Sequence, residues 1–248
     1  MRNDKIIIFD EINSAAENAV NFINSKLKEL PTNHFYSIAL SGGTTPKKLF
    51  SIVSEKYSDK IDWSRIHLFW GDERCVPPDN EESNYRMTYE HLLKHINIPE
   101  KNIFRIYGES EPEIEAKRYS EILKQNLTIV NGIPSFDLII LGLGEDGHTA
   151  SIFPDQLKLF YAEDFCVTAV HPITKQKRIS ITGKIINNAD KVVFLITGEN
   201  KAEKIFEIIN EKENAKNYPA YFVNPISKKL VWLIDKNAAR LIDPAFIQ

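Results

Sequence analysis

Short apolar runs alternate with amphipathic stretches along the 248-residue chain. KIIIF at Lys5–Phe9, FYSIAL at 35–40, IHLFW at Ile66–Trp70, FDLIIL at 136–141 and KVVFLIT at 191–197 have the length and branching of buried strands. Residues 165–170, RISIT at 178–182 and LVWLI at 230–234 read the same way. Between them, apolar residues recur at helical spacing: Ala15, Ala19, Phe22, Ile23 and Leu27 before Pro31; Leu49, Phe50, Ile52 and Val53 after Pro46. Further helices are predicted after Ser83-Asn84 (Met87, His91, Leu92), over 111–127 (Ile114, Tyr119, Ile122, Leu123) and around Ile205, Phe206, Ile208 and Ile209. Strands that alternate with helices predict an α/β fold, a mainly parallel sheet covered on both faces. The two strands within 165–182 have no helix between them and predict a small antiparallel excursion. With no repeat, low-complexity stretch or linker, one domain is expected over 1–248.

Composition narrows the partners more than the fold. A net charge of -3 gives no basic footprint for nucleic acid. Two cysteines, Cys75 and Cys166, do not make a disulfide framework and read as reduced thiols of a cytoplasmic protein. The first residues lack the apolar core of a signal peptide, and no apolar run approaches the ~20 residues of a membrane span. The chain is therefore expected to be soluble and cytoplasmic, as a monomer or homodimer.

The candidate chemistry concentrates where strands end. The run 136–141 breaks into Gly142, Gly144 and Gly147, which carry Glu145, Asp146 and His148 among them, with Thr149 and Ser151 behind. Ligands of α/β proteins bind beyond the carboxyl ends of strands, so this turn is the first candidate site. Gly142 to Gly147 matches G-x-G-x-x-G, the dinucleotide fingerprint. Glu145 and Asp146 would oppose a pyrophosphate, however, and Pro154 comes too soon for the long helix such a site needs. The nicotinamide reading is therefore set aside.

A second turn, Ser41-Gly42-Gly43-Thr44-Thr45-Pro46, joins a strand to a helix. Free N–H groups and the helix dipole make such a turn a ready anion site, with the hydroxyls of Ser41, Thr44 and Thr45 as further donors. No lysine comes directly after the glycines, so it is not a Walker A loop. A third turn carries Asp72, Glu73 and Arg74, which read either as a solvated loop or as charges aimed at the same edge. His91 and His95 fall four apart on one predicted helical face, but without a third ligand they read as ordinary surface or hydrogen-bonded histidines. No Cys/His/acid cluster has metal-ligand spacing, and Ser151 lacks the G-x-S-x-G elbow of a nucleophile. Neither metal nor cofactor is expected.

Four segments, SGGTTP at 41–46, GDERCVPPDNEESN at 71–84, LGLGEDGHTASIFP at 141–154, and RISIT with GENKA at 178–182 and 198–202, resemble in order the 6-phosphogluconolactonases. The related amino-sugar-phosphate deaminases and isomerases are similar in the glycine turn and the DGH unit. They carry I-A-F-N-E-P after it, where this chain has Thr149-Ala150-Ser151-Ile152-Phe153-Pro154. They also carry an M-D-E-Y type sequence at Gly71-Asp72-Glu73-Arg74. Both departures favour the lactonase branch.

The resemblance implies a Rossmann-like three-layer α/β/α sandwich. It also implies hydrolysis of 6-phospho-D-glucono-1,5-lactone to 6-phospho-D-gluconate in the oxidative pentose phosphate pathway. On that chemistry His148 is expected to be the general base that activates water. Asp146 or Asp72 would orient it; Asp72 is also suited to holding sugar hydroxyls. Arg74 is expected to bind phosphate, to stabilise the oxyanion, or to pair with a nearby acid. Ser41, Gly42, Gly43 and Thr44 would hold the phosphate, and Arg178 and Lys201 match the family's basic phosphate contacts. The competing expectations are a deaminase or isomerase, and a sugar-phosphate binding protein without turnover.

Overall fold

The structure, a computed structural model, describes residues 4–243. The chain runs β1 (Lys5–Phe9), α1 (Ile12–Glu29), β2 (Tyr36–Leu40), α2 (Thr44–Tyr57), β3 (Ile66–Trp70), β4 (Asp72–Arg74) and α3 (Asn84–His91). It continues β5 (Ile103–Phe104), α4 (Pro112–Asn126), β6 (Thr128–Val130), β7 (Ile133–Ser135), β8 (Leu138–Leu141), β9 (Cys166–Val170), β10 (Lys177–Ile181) and α5 (Gly183–Asn188). The last elements are β11 (Val192–Ile196), α6 (Ala202–Ile209) and β12 (Leu230–Asp235). The predicted strands and helices are found at these places, with ends shifted by a residue or two where apolar runs overshoot the ladder.

Seven strands form one sheet in the order β1-β12-β11-β8-β2-β3-β5, and every pair in it is parallel. From β1 the chain moves through β2, β3 and β5 in one direction. It then returns through β8, β11 and β12 in the other. Right-handed crossovers put helices on opposite faces when the direction reverses. So α1, α2 and α3 cover one face, and α4 and α6 the other. Reversal makes the seam between β2 and β8 the switch point of the sheet, where doubly wound folds open a crevice beyond the strand ends. The seam itself is short, with only Ile38↔Leu138 and Ala39↔Ile139 in register. It is stapled at its base by Asp137, whose carboxylate accepts from both the N–H and the hydroxyl of Ser37 at 2.8 and 2.7 Å.

The antiparallel excursion is present, but it has a third strand. β9 and β10 are joined by β4, the charged run after β3, with Arg74 opposite Arg178 and Asp72 opposite Ser180. The solvated-loop reading of Asp72–Arg74 is thus corrected. Asp72 and Glu73 are only 6% and 2% exposed. Glu73 accepts the N–H groups of Asn84 and Tyr85 at the start of α3, the Ser83 hydroxyl and its neighbour's N–H. Burial raises its carboxyl above the ordinary glutamate value, against the pull of those N–H donors. A hairpin, β6–β7, and a 3-10 stretch, Pro154–Tyr161, are not visible in the periodicity. Both are too short to show a period.

Candidate active site

Turns after β2, β3, β8 and β11 enclose a cleft of about 390 Å³ at the carboxyl edge of the sheet. Ser41–Pro46, Asp72, Arg74, Gly142–Glu145, His148, Arg178 and Lys201 all line it. Asp146 does not line it and stands behind the imidazole.

The turn after β8 is folded around one side chain. Gly144 N–H donates to the His148 carbonyl at 2.9 Å, and the Thr149 hydroxyl closes onto the Gly142 carbonyl at 3.0 Å. His148 Nδ1 lies 2.6 Å from Asp146 Oδ1, which also accepts the His148 N–H at 3.1 Å. A carboxylate at Nδ1 holds the ring proton there and leaves Nε2 as the acceptor. Burial pushes the Asp146 carboxyl up, but the hydrogen bond and charge of His148 outweigh it, and the group sits below its ordinary value. A Cβ on Gly144 would stand 2.1 Å from Nδ1, so only glycine admits the imidazole in this pose. The Phe153 ring, 1% exposed, packs 4.8 Å from the His148 ring and 5.1 Å from that of His171.

The turn after β2 presents backbone instead. Gly43 caps α2 with φ of 108° and no side-chain cap bond, which leaves the first N–H groups of the helix without a side-chain acceptor. The Ser41 hydroxyl is buried without a partner among the described residues. Thr45 departs from expectation: its hydroxyl is engaged 2.7 Å from that of Thr197 at the end of β11. That contact ties two of the four turns together rather than offering a donor.

Asp72 does not reach the imidazole. Its Oδ2 accepts from the buried Ser151 hydroxyl at 2.6 Å, and Asn84 Nδ2 donates to its carbonyl at 2.9 Å and lies 3.4 Å from Oδ1. Arg74 donates through Nη1 to the Glu82 carbonyl, while its buried Nε has no partner. Arg178 donates from Nε to Gln176 at 3.0 Å. Neither arginine forms an ion pair with a described carboxylate, so the acid-paired reading of Arg74 is not what the residues adopt. Burial, then the like charge of Arg74, pushes the Arg178 guanidinium below its ordinary value. Burial likewise lowers Lys201, although Glu145 stands 3.9 Å away. Asp72, Glu82 and Glu73 act on Arg178 only from beyond ion-pair distance, and two guanidiniums without a paired carboxylate can bind anionic oxygens of a ligand.

Asn84, Ser151, Thr197 and Asn200 also belong to the site or its supports, and the sequence pattern does not single them out. Asn84 and Ser151 have a visible signal only as a helix cap and as part of the motif after His148. His91 and His95 are not on one helix face: α3 ends at His91, which meets Ser51 at 2.9 Å, and His95 Nε2 lies 3.1 Å from the Glu90 carbonyl. Among the described residues no group of three His, Cys, Asp or Glu side chains could hold a metal ion. None of their helices is long and apolar enough to cross a membrane.

Fold and cleft together define a doubly wound α/β protein in which an acid–imidazole pair shares a cleft with two arginines that have no ion-pair partner among the described residues. Residues 10–232 match the family described as glucosamine-6-phosphate isomerases/6-phosphogluconolactonase, and the chain belongs to that family. It is 45% identical over 211 residues to 6-phosphogluconolactonase of Haemophilus influenzae, which covers 85% of this chain and 89% of the relative. The same-named protein of Treponema pallidum is 40% identical over 204 residues, 82% and 83% of the two chains. The crystal structure of devB protein superposes with a TM-score of 0.88 at 37% identity, covering 96% of this chain and 99% of the other.

Proposed function

We propose that this chain is a 6-phosphogluconolactonase that hydrolyses 6-phospho-D-glucono-1,5-lactone to 6-phospho-D-gluconate, within the oxidative pentose phosphate pathway of the cytoplasm. One observation carries the reading: His148, proton-fixed by Asp146, shares a cleft with an uncapped helix N-terminus and two unpaired arginines. The phosphate sits on the N–H groups of Gly42, Gly43 and Thr44 and the Ser41 hydroxyl, with Arg178 and Lys201 supplying charge. Nε2 of His148 takes a proton from water as the water oxygen bonds to C1. The C1 oxygen becomes an oxyanion, faced by Arg74. Collapse breaks the bond from C1 to the ring oxygen, and that oxygen receives the proton from His148. Asp72, fixed by Ser151 and Asn84, holds sugar hydroxyls. Phe153 favours this branch over the deaminases, because it places an apolar ring against His148 where they carry an acid.

The decisive assay is lactone opening, corrected for spontaneous hydrolysis, run beside ammonia release from glucosamine 6-phosphate. Catalysed opening without ammonia is expected. Ammonia release would move the chain to the deaminase branch. Neither activity, with the substrate still bound, would leave a binding protein.

A further inference from the structure

The two faces of the sheet are not equally covered. Strands lie about 4.8 Å apart, so β1, β12, β11 and β8 span about 15 Å, whereas a helix is only about 10 Å wide. On that face α1 packs on β1 and on α2, and α2 reaches β11, which leaves the sheet open along α1. The result is a groove of about 420 Å³ along the flank of α1. Its floor is set by register. Val231, Val193 and Ile140 stand side by side on three neighbouring strands, and Ile7 pairs with Leu233 in the next row. Ile7, Ile140, Val193 and Leu233 all remain half-buried, although β12, β11 and β8 are interior strands whose neighbours should be covered.

Charge marks one end of this groove. Lys5 and Lys191 line it at the amino-terminal edge of the sheet, and the Lys191 ammonium lies 3.8 Å from the centre of the Phe22 ring. Neither lysine has an ion-pair partner among the described residues. The acids nearby are already taken: Asp190 by Lys229 and Glu29 by Lys26, each at 2.6 Å. Burial, and then Lys5, Lys26 and Lys229, push Lys191 below its ordinary value, as expected for a cation short of counter-charge. The active cleft opens at the opposite edge. From Lys191 to Leu195 is four residues of strand, about 13 Å at ~3.3 Å per residue and close to the extended length of a ten-carbon acid. The volume lies in the range of small-molecule sites, at its small end.

We propose that this groove binds one medium-chain aliphatic carboxylate, with its head between Lys5 and Lys191 and its tail on the Val231–Val193–Ile140 floor under Phe22. Calorimetry with octanoate, decanoate, dodecanoate and decanol, below their micelle-forming concentrations, tests it. Saturable one-to-one binding is expected, tightening about fourfold for each added CH2 until the groove is filled. Lys191→Met should weaken decanoate about fivefold and leave decanol unchanged. Val193→Phe should fill the groove and abolish both, with thermal melting as its check on folding; if it fails to fold, Lys191→Met carries the test alone. No saturable binding, or equal affinity of acid and alcohol in wild type and Lys191→Met alike, overturns the proposal. So does a stable dimer that Val193→Phe splits, since that outcome assigns the face to a second copy.

Discussion

Two glycine turns leave neighbouring strands at the same edge of the sheet, yet they do opposite work. After β2 the chain enters a long helix within three residues, so the glycines expose N–H groups aligned with a dipole. After β8 it meets Pro154 and a 3-10 stretch instead, so no dipole forms and the turn folds back on its own histidine. The element next along the chain, rather than the glycines themselves, decides whether a turn offers backbone or a side chain. That is why the G-x-G-x-x-G match after β8 lacks the helix N-terminus that a nucleotide site needs, and why the less conspicuous SGGTT turn reads as the anion cradle.

If the division of labour holds, damage to the β8 turn lowers kcat and damage to the anion cradle raises KM. The largest effect should come from His148→Asn, a fall in kcat of about 10²–10⁴-fold with KM little changed, read in steady-state lactone assays. A fold-intact variant within threefold of wild type would remove His148 as the base. Asp146→Asn should come next, with kcat down about 10²-fold as the ring proton loses its anchor. Because the Asp146 carboxyl is held below its ordinary value, it stays ionised through neutral pH. The orienting carboxylate is therefore in place from about pH 6 to 8, and a variant whose kcat matched wild type throughout that range would contradict the orienting role.

Arg178→Ala, on β10 beside the cleft, should act on the proposed phosphate site together with the other turn, raising KM about 10–100-fold while kcat stays within twofold. A mainly kcat effect would erase the contrast between the turns. The smallest change is expected outside both. Glu73 has a folded pKa above its unfolded value, so the native state holds its proton longer, and stability falls as pH rises through the window above about 4.3. Glu73→Gln should flatten that part of the stability curve and cost about 1–2 kcal/mol at neutral pH, through weaker acceptance of the α3 N–H groups. Urea melts from pH 4 to 7 would show it, and an unchanged slope would count against the buried charge.

Much of this was legible in the sequence because parallel strands buried on both faces write themselves as unbroken apolar runs. IHLFW and KVVFLIT needed no context, and the turns that end them could be inspected directly. β4 could not be read, since Asp72-Glu73-Arg74 looks like surface and becomes a strand only by pairing with β10 about a hundred residues later. The same distance hid the Ser151–Asp72 bond, which spans 79 positions, and the Thr45–Thr197 contact, which spans 152. Which acid would orient His148 was likewise undecidable from spacing; the tight turn at Gly144 hands that place to Asp146.

The short seam between β2 and β8 also makes the cleft a gauge. One jaw is anchored to each strand, and the Asp137–Ser37 staple stops them sliding, so their separation is fixed near a single strand spacing of about 4.8 Å plus the reach of each turn. On the proposed function, a ligand would have to carry its phosphate and its carbonyl at a set distance to touch both jaws. Shorter sugar lactones would engage one jaw or the other, and selection among substrates would rest on length before any hydroxyl is recognised.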